Sequence, residues 1–295
     1  MDPLAILGRA LRDEGYSFVT PTPATHRRVL ARNAEARGVR DVFGWSKPFK
    51  PGLLPRRIEA LLDAAKAVRR EGPLLRSTVR FSSLGPLLCA HSAYPTEEPD
   101  AVFFGPDTYR FAALLEARVQ RAGNVADVGC GSGAGGLLLA PRALSVQLLD
   151  INPVAVRFAR ANAELNGLPA RAAESDVLSG AEGMLDLIVA NPPYLVDPLE
   201  RVYRDGGGNL GTALSVRIAA ESLNRLPPGG RLLLYTATPV IDGQHVIRPA
   251  LERLLTHTRW DYRELDPDVF GEELERSEYA GVDRIAVIAL DATRL

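Results

Sequence analysis

Lysine is nearly missing from this chain: Lys47, Lys50 and Lys66 are the only three among 35 basic residues, a skew read as genome composition. Cysteine is scarcer still. Cys89 and Cys130 are too few for a disulfide framework. Four histidines (His26, His91, His245, His257) show no HxxH spacing, and there is no CxxC, so no metal site is expected. Long apolar runs are also lacking. A membrane helix needs roughly 20 uncharged apolar residues, and stretches such as Ala134–Ala140 and Leu187–Ala190 are interrupted quickly. The first residues carry Asp2 where a signal peptide would be basic, and charge returns at Arg9. These absences predict a soluble, cytoplasmic protein with no membrane contact. Internal repeats and low-complexity tracts are absent too.

What remains is an ordinary globular composition, 46% apolar and 24% charged over 295 residues. That length suits one large domain plus a smaller one. The net charge of −1 hides an asymmetry. Residues 21–80 hold 14 Lys/Arg against 5 Asp/Glu, a net of +9, and the rest holds 21 against 31, a net of −10. Such a front segment suits an acidic partner, such as RNA or a ribosome-associated factor, or simply a solvated arginine-rich surface.

The first third reads as helical. Asp2 caps a helix carrying Leu4, Ile6, Leu7 and Leu11, which stops near Gly15. Thr22-Pro23 starts another, expected to run to about Gly38. Trp45–Pro55, with prolines at 48, 51 and 55, is a loop, and Pro55–Arg70 is an amphipathic helix ended by Gly72-Pro73. Thr78–Ser82 and Leu87–His91 read as short strands, followed by an acidic turn at Tyr94–Pro99. From Ala101–Gly105, read as strand-like, the texture changes. A helix from Pro106 to about Arg121 leads into strands at Val125–Val128, Ser145–Asp150, Ala170–Ser175, Leu185–Ala190, Arg231–Thr236, Trp260–Leu265 and Arg284–Leu290. Helices at Pro153–Asn166, about Leu210–Arg225 and Val246–Thr256 alternate with them. The pattern predicts an α/β fold: a seven-stranded, mostly parallel, Rossmann-like sheet with helices on both faces. The expected division is a helical recognition domain at 1–75, a strand-rich connector at 76–100 and a catalytic domain at 101–295.

The most informative segment is Val125-Ala-Asp-Val-Gly-Cys-Gly-Ser-Gly133. Three glycines between a strand and a helix leave the backbone bare for a ligand. Asp127 precedes them, and Asp150 closes the second strand 17 residues after Gly133. That is where nucleotide-type folds place a carboxylate against ribose hydroxyls. Dehydrogenases space their third glycine differently, as G-x-G-x-x-G. The fourth strand then ends in Asn191-Pro192-Pro193-Tyr194. Two prolines fix the backbone and remove two amide donors. The Asn191 side-chain carbonyl and the Pro192 backbone carbonyl can together accept both hydrogens of a planar –NH2 group. Tyr194 can lie flat against that group.

The glycine pattern resembles the class I S-adenosylmethionine-dependent methyltransferases, over roughly residues 101–295. The resemblance implies S-adenosylmethionine as cofactor and assigns roles to residues. Gly129, Gly131 and Gly133, with Cys130 between them, would back the methionine part. Asp127 would order the loop and face the cofactor amine. Asp150 would accept from the ribose hydroxyls, with Ile151 against the adenine. Asp176 would accept from the adenine amino group beside the Val177 backbone. The tetrapeptide Asn191–Tyr194 resembles that of N-methyltransferases of protein glutamine or of nucleic-acid exocyclic amines. The whole chain is most similar to the release factor glutamine methyltransferase (HemK-like) group, which Asp205-Gly-Gly-Gly-Asn-Leu-Gly211 and Pro227-Pro-Gly-Gly230 also resemble. Gly105-Pro-Asp-Thr-Tyr109 and Asp205-Gly206 depart from that group's pattern. The implied activity is methyl transfer to an amide or amino nitrogen of a macromolecule, with a translation-related protein glutamine first. An rRNA or tRNA base is the alternative, and a small biosynthetic amine a third.

Other residues carry weaker readings. Cys130 is expected to pack, because no base is visible to activate it. His91 reads as a surface residue, and His245 and His257 as structural or solvated. Trp45 and Phe49 read as loop anchors, with base stacking as the alternative. Phe103, Phe104, Thr108 and Tyr109 are candidates for a lid over the cofactor.

Overall fold

The computed structural model describes residues 1–199 and 201–295. Helices α1 (Pro3–Asp13) and α2 (Pro23–Arg32) start where their caps predict. Asp2 accepts from the Leu4 amide and Thr22 from the Thr25 amide. The second helix is shorter than its sequence suggests. Asn33 takes an extended conformation and its side chain accepts from the Glu35 amide, a local turn that competes with helix. A separate short helix, α3 (Val39–Phe43), follows.

A second correction concerns the helix expected to reach Arg70. Helix α4 (Arg56–Ala64) stops, Lys66 turns left-handed with φ of 52°, and the chain becomes a strand. Strands β1 (Val68–Glu71) and β2 (Leu74–Ser77) form a hairpin around Gly72-Pro73. Glu71 accepts from Arg69 on its own strand and from Arg76 across the hairpin, so charges that look like a solvated helix face pair within the hairpin. This hairpin straddles position 75. Strands β3 (Val79–Leu84) and β4 (Leu87–Ser92) form the expected second hairpin. Ala101–Gly105 is not a strand. Only Val102 pairs there, donating to the Ser92 hydroxyl and accepting from the Ser92 amide.

The rest alternates as expected: α5 (Pro106–Arg118), β5 (Ala122–Val128), α6 (Ala134–Leu139), β6 (Ala143–Asp150), α7 (Pro153–Asn166), β7 (Arg171–Glu174), β8 (Leu187–Ala190), α8 (Ala213–Arg225), β9 (Arg231–Ile241), β10 (Gln244–His245), α9 (Arg248–Leu254), β11 (Thr258–Asp266) and β12 (Arg284–Arg294). The main sheet runs β11-β12-β9-β8-β5-β6-β7, with β10 folded back on β9. Its links from β7 to β9 are parallel, and β12 runs antiparallel to both neighbours. Alternate residues bury opposite faces. Val125, Val189, Leu233 and Tyr235 pack under α5 and α6, while Ala126, Ile188, Leu232 and Leu234 pack under α8 and α9.

Helix α7 joins the front region to the sheet. Ala159 and Ala163 belong to the sheet's core. Ala155, Phe158, Ala161 and Leu165 face a second core built from Leu7, Leu11, Phe43, Phe49, Ile58 and Phe81. Asn162, fully buried, accepts from the Ala90 amide and donates to the carbonyls of Ala90 and Ser132. Asn166 does the same for Leu88. Two side-chain amides therefore satisfy the edge of β4 and tie it to the glycine loop.

Candidate functional site

Strand order reverses between β5 and β8, and the loops leaving their carboxyl ends diverge there. Such a switch point is where open α/β sheets take ligands. A cavity of about 650 Å3 opens at that place. The glycine loop and Asn191–Tyr194, which leave adjacent strands at the paired Val128 and Ala190, both line it.

The three motif glycines all have positive φ, at 66°, 54° and 78°, but serve different ends. A Cβ on Gly129 would meet nothing within 4 Å, and one on Gly131 only Val102 Cγ1 at 3.8 Å. A Cβ on Gly133 would press on Leu148 Cδ1 at 3.1 Å and Ala159 Cβ at 3.2 Å. The first two thus leave room for a ligand. Gly133 does not line the cavity; it lets α6 settle onto β6 and α7. Cys130 lines the cavity and is buried in the sheet core, and burial pushes its thiol well up, away from thiolate.

Asp127 is 2% exposed and accepts from the Gly136 amide at 2.7 Å. Burial pushes its carboxyl up to about 7, with the nearby Asp150 adding to the rise. Asp150 latches the loop: Oδ2 accepts from the Gly131 amide at 2.8 Å and Oδ1 from the Asn152 amide at 2.9 Å. Burial raises its carboxyl as well. Ile151 is 58% exposed beside it, an apolar side chain lining an open cavity.

Asp176 is positioned differently from the sequence expectation of a free acceptor. Both its oxygens accept from the Arg217 guanidinium, at 2.8 and 2.7 Å. That bidentate pair holds the carboxyl below its usual range. Val177 follows with φ of 50° and is buried.

In the same cavity, the Asn191 side chain and the Pro192 carbonyl make no hydrogen bond among the described residues. Tyr194 is anchored instead. Its hydroxyl donates to Asp107 Oδ2 at 2.6 Å, and Tyr235 donates to Oδ1 at 2.9 Å. Arg110 approaches Oδ1 at 3.2 Å and also reaches Asp266 at 3.1 Å. Burial pushes the Tyr194 phenol well above its ordinary value. The segment Asp205–Gly211 packs on the backbone of this tetrapeptide. A Cβ on Gly211 would lie 2.4 Å from the Tyr194 carbonyl oxygen, so only glycine fits there.

Of the sequence-derived residues, Asp127, Gly129, Cys130, Gly131, Asp150, Ile151, Asp176, Val177, Asn191, Pro192, Pro193 and Tyr194 all line this cavity. Of the lid candidates, Phe103 and Thr108 line it. Phe104 turns into the core, and the Tyr109 hydroxyl accepts from the Thr20 amide. His91 is corrected: it is 1% exposed, bonded to Ser82 at 2.8 Å and stacked on Phe104. Phe49 is fully buried, and Trp45 packs edge-on against Phe18. Two site residues escaped sequence reasoning. Asp107 sits in the first turn of α5, where an acid reads as a helix-dipole partner. Arg217 reads as half of a surface pair with Glu221. Pro23 and Arg27 of α2 also reach the cavity mouth, where Arg27 meets Glu272 at 3.5 Å.

No described helix is long and apolar enough to cross a membrane, and no metal-binding group of His, Cys, Asp or Glu occurs among the described residues. The chain is 36% identical over 173 residues to the release factor glutamine methyltransferase of Deinococcus radiodurans, covering 55% of this chain and 59% of that one. It is also 36% identical over 110 residues to the ribosomal RNA small subunit methyltransferase C of Chromohalobacter salexigens, covering 37% of this chain and 30% of that one. The matches thus span from under a third to just over half of these curated relatives. The crystal structure of Methanocaldococcus jannaschii Trm5 in complex with adenosine superposes with a TM-score of 0.52 at 16% identity, covering 74% of this chain and 56% of that one. That likeness shows a shared fold. The Methyltransferase small domain family model matches residues 108–260, just over half of the chain, and the chain belongs to that family.

Proposed function

We propose that this protein is an S-adenosylmethionine-dependent N-methyltransferase acting on a planar amide or amino nitrogen of a macromolecule, with a protein glutamine side chain as the acceptor. The carrying observation is that the Asn191 amide and the Pro192 carbonyl, without a partner among the described residues, line one cavity with the glycine loop. The cavity suits the cofactor. Gly129 leaves space where any other side chain would intrude, and Ile151 offers an apolar surface. On this reading Gly129, Cys130 and Gly131 back the methionine part and Asp127 faces its amine. Asp150 holds the ribose, and Ile151, Asp176 and Val177 surround the adenine. Residues 1–75 help to recognise the acceptor, ahead of a connector at 76–100 and the catalytic domain at 101–295.

When bound, S-adenosylmethionine would supply an activated methyl group: the N–C bond would form as the C–S bond breaks, S-adenosylhomocysteine would leave, and the proton shed by the acceptor nitrogen would pass to water. An amide or aryl amine nitrogen is a poor nucleophile because its lone pair is delocalised. Asn191 Oδ1 and the Pro192 oxygen accept its two hydrogens, holding the nitrogen in place and stabilising the positive charge that develops. No covalent intermediate on the protein is required.

The test uses methyl-labelled S-adenosylmethionine with ribosomal and release-factor fractions. We expect RNase-resistant label in protein. Asn191→Ala should lower kcat by roughly 10²–10³ with cofactor affinity kept. Asn191→Asp, which keeps an acceptor oxygen, should retain more activity than Ala. Near-wild-type turnover in a folded Asn191→Ala would refute the nitrogen assignment. An rRNA exocyclic amine is the second reading, supported by the rRNA methyltransferase relative and by Arg28, Arg32 and Arg70. These are exposed and have no acidic partner within 4 Å among the described residues. RNase-sensitive label would select it.

A further inference from the structure

We infer that Asp107 is a positioning residue for methyl transfer: it fixes the Tyr194 ring in the acceptor site and enriches it in electron density. The inference rests on the reading of Asn191–Tyr194 as the acceptor site. Its own evidence is the buried carboxylate that gathers Tyr194, Tyr235 and Arg110. Asp107 is 5% exposed, lines the cavity and has both oxygens engaged by phenols.

Two consequences follow from this geometry. The Tyr194 hydroxyl has one proton, and it is committed to Asp107 Oδ2, so Tyr194 neither donates to the acceptor nor removes its proton. What it offers is its ring. A phenol bonded to a carboxylate shares its proton's charge and pushes density into the ring, and the ring face of an aromatic already attracts cations. The acceptor nitrogen becomes positive as it gains the methyl group. A ring held beside it by Asp107 stabilises that charge selectively in the transition state. Arg110 tempers this effect, since it shares Asp107 with the two phenols and is itself shared with Asp266. Tyr235 lies in the sheet core outside the cavity and serves as the internal comparison.

Asp107→Asn is nearly isosteric and tests the charge while preserving packing. We expect kcat to fall roughly 10- to 100-fold, the loss typical of a displaced or weakened reacting-site group. S-adenosylhomocysteine affinity by calorimetry should stay within about threefold, as for a site remote from the cofactor's main contacts. Tyr194→Phe should lower kcat comparably, and the double variant should be no slower than Tyr194→Phe alone. Tyr235→Phe, which leaves the Tyr194 bond in place, should cost little. Tyrosine labelled with 13C at Cζ gives a readout without turnover. The Tyr194 resonance, assigned by its loss in Tyr194→Phe, should move away from the phenolate direction in Asp107→Asn. An unmoved resonance, or additive losses in the double variant, overturns the inference. If the wild type methylates neither protein nor RNA, the acceptor reading fails on its own, and the resonance still decides whether Asp107 polarises Tyr194.

Discussion

Replacing Asp150 separates the job that the structure shows for this carboxylate from the one that the proposed reading adds. Asp150 accepts from the Gly131 and Asn152 amides, which holds the glycine loop against the end of β6. On the proposed reading it also accepts from two ribose hydroxyls. Hydrogen bonds to a charged group contribute about 1.5 kcal/mol each at the low end, or about tenfold in affinity. Losing both ribose bonds in Asp150→Ala therefore weakens S-adenosylhomocysteine by roughly 100-fold. The group is 8% exposed, so solvent screening does little to shrink this figure. Slackening of the loop would also weaken binding, and calorimetry with one ligand would not tell the two apart.

A second ligand does. The 2′-deoxy analogue lacks one of the two hydroxyls and should bind wild type about tenfold more weakly than the parent. In Asp150→Ala the two ligands should bind alike, because the partner of that hydroxyl has gone. If the variant instead weakens both by the same factor and the tenfold preference survives, Asp150 acts only as a loop latch. Unchanged affinity for the parent ligand would refute the placement of the cofactor altogether.

Asp127 gives a pH signature. Its carboxyl is raised to about 7, so between about 4, the unfolded value, and 7 the folded protein holds a proton that the unfolded chain has lost. Stability from this group falls as pH rises through that window, and an ammonium facing Asp127 reverses the preference, so S-adenosylhomocysteine should bind more tightly from pH 5 towards 7.5. Asp127→Asn should flatten that rise, and a flat wild-type profile by calorimetry contradicts the pairing. Asn162→Ala strips partners from the Ala90 amide, the Ala90 carbonyl and the Ser132 carbonyl, and should cost roughly 2–4 kcal/mol in chemical denaturation. A loss under about 0.5 kcal/mol, the scatter of ordinary surface changes, would mean those groups find other partners. Reversing Arg28, Arg32 and Arg70 to Glu should raise KM at low salt without altering cofactor affinity, and a salt-independent KM would leave them as surface solvation.

The glycine loop and the carboxylate that latches it were legible because they are local. Gly129–Gly133 lies within one turn between strand and helix, and Asp150 ends the next strand, so spacing alone places them. Helix α7 was equally plain, with Asn152-Pro153 at one end and Gly167 at the other. Pairing between distant residues was hidden. Nothing near Asp176 in sequence announces Arg217, 41 residues later. Asp107 lies 87 residues from Tyr194 and 128 from Tyr235. The β1–β2 hairpin was misread because Val68–Glu71 continues the apolar spacing of α4; the break is a left-handed Lys66, which no side-chain pattern marks. His91 was placed at the surface because its neighbours in sequence say nothing of Ser82 and Phe104, which enclose it.

That contrast bears on the acceptor. Five separated segments line the cavity besides the glycine loop, the ends of β6 and β7 and the Asn191–Tyr194 turn: Pro23 and Arg27 of α2, the turn at Tyr94–Glu97, the start of α5, Arg201–Asp205, and residues of 270–273. Their charges largely cancel in place. Arg27 meets Glu272, Arg204 meets Glu273, and Arg201 forks onto the buried Asp197, at 2.7 Å through each nitrogen. Among the described residues every arginine lining this mouth meets a carboxylate, so none is left for a phosphate, whereas Glu97 and Asp205 have no cation within 4 Å. Such a mouth disfavours an anion at the reacting centre, and an amide or exocyclic amine carries no negative charge. The unpaired arginines lie elsewhere, Arg28 and Arg32 one turn apart on the helix whose start forms the rim. Charge on the acceptor macromolecule would therefore be read outside the cavity, and the chemistry inside it would depend on Asn191, Pro192 and the ring that Asp107 holds.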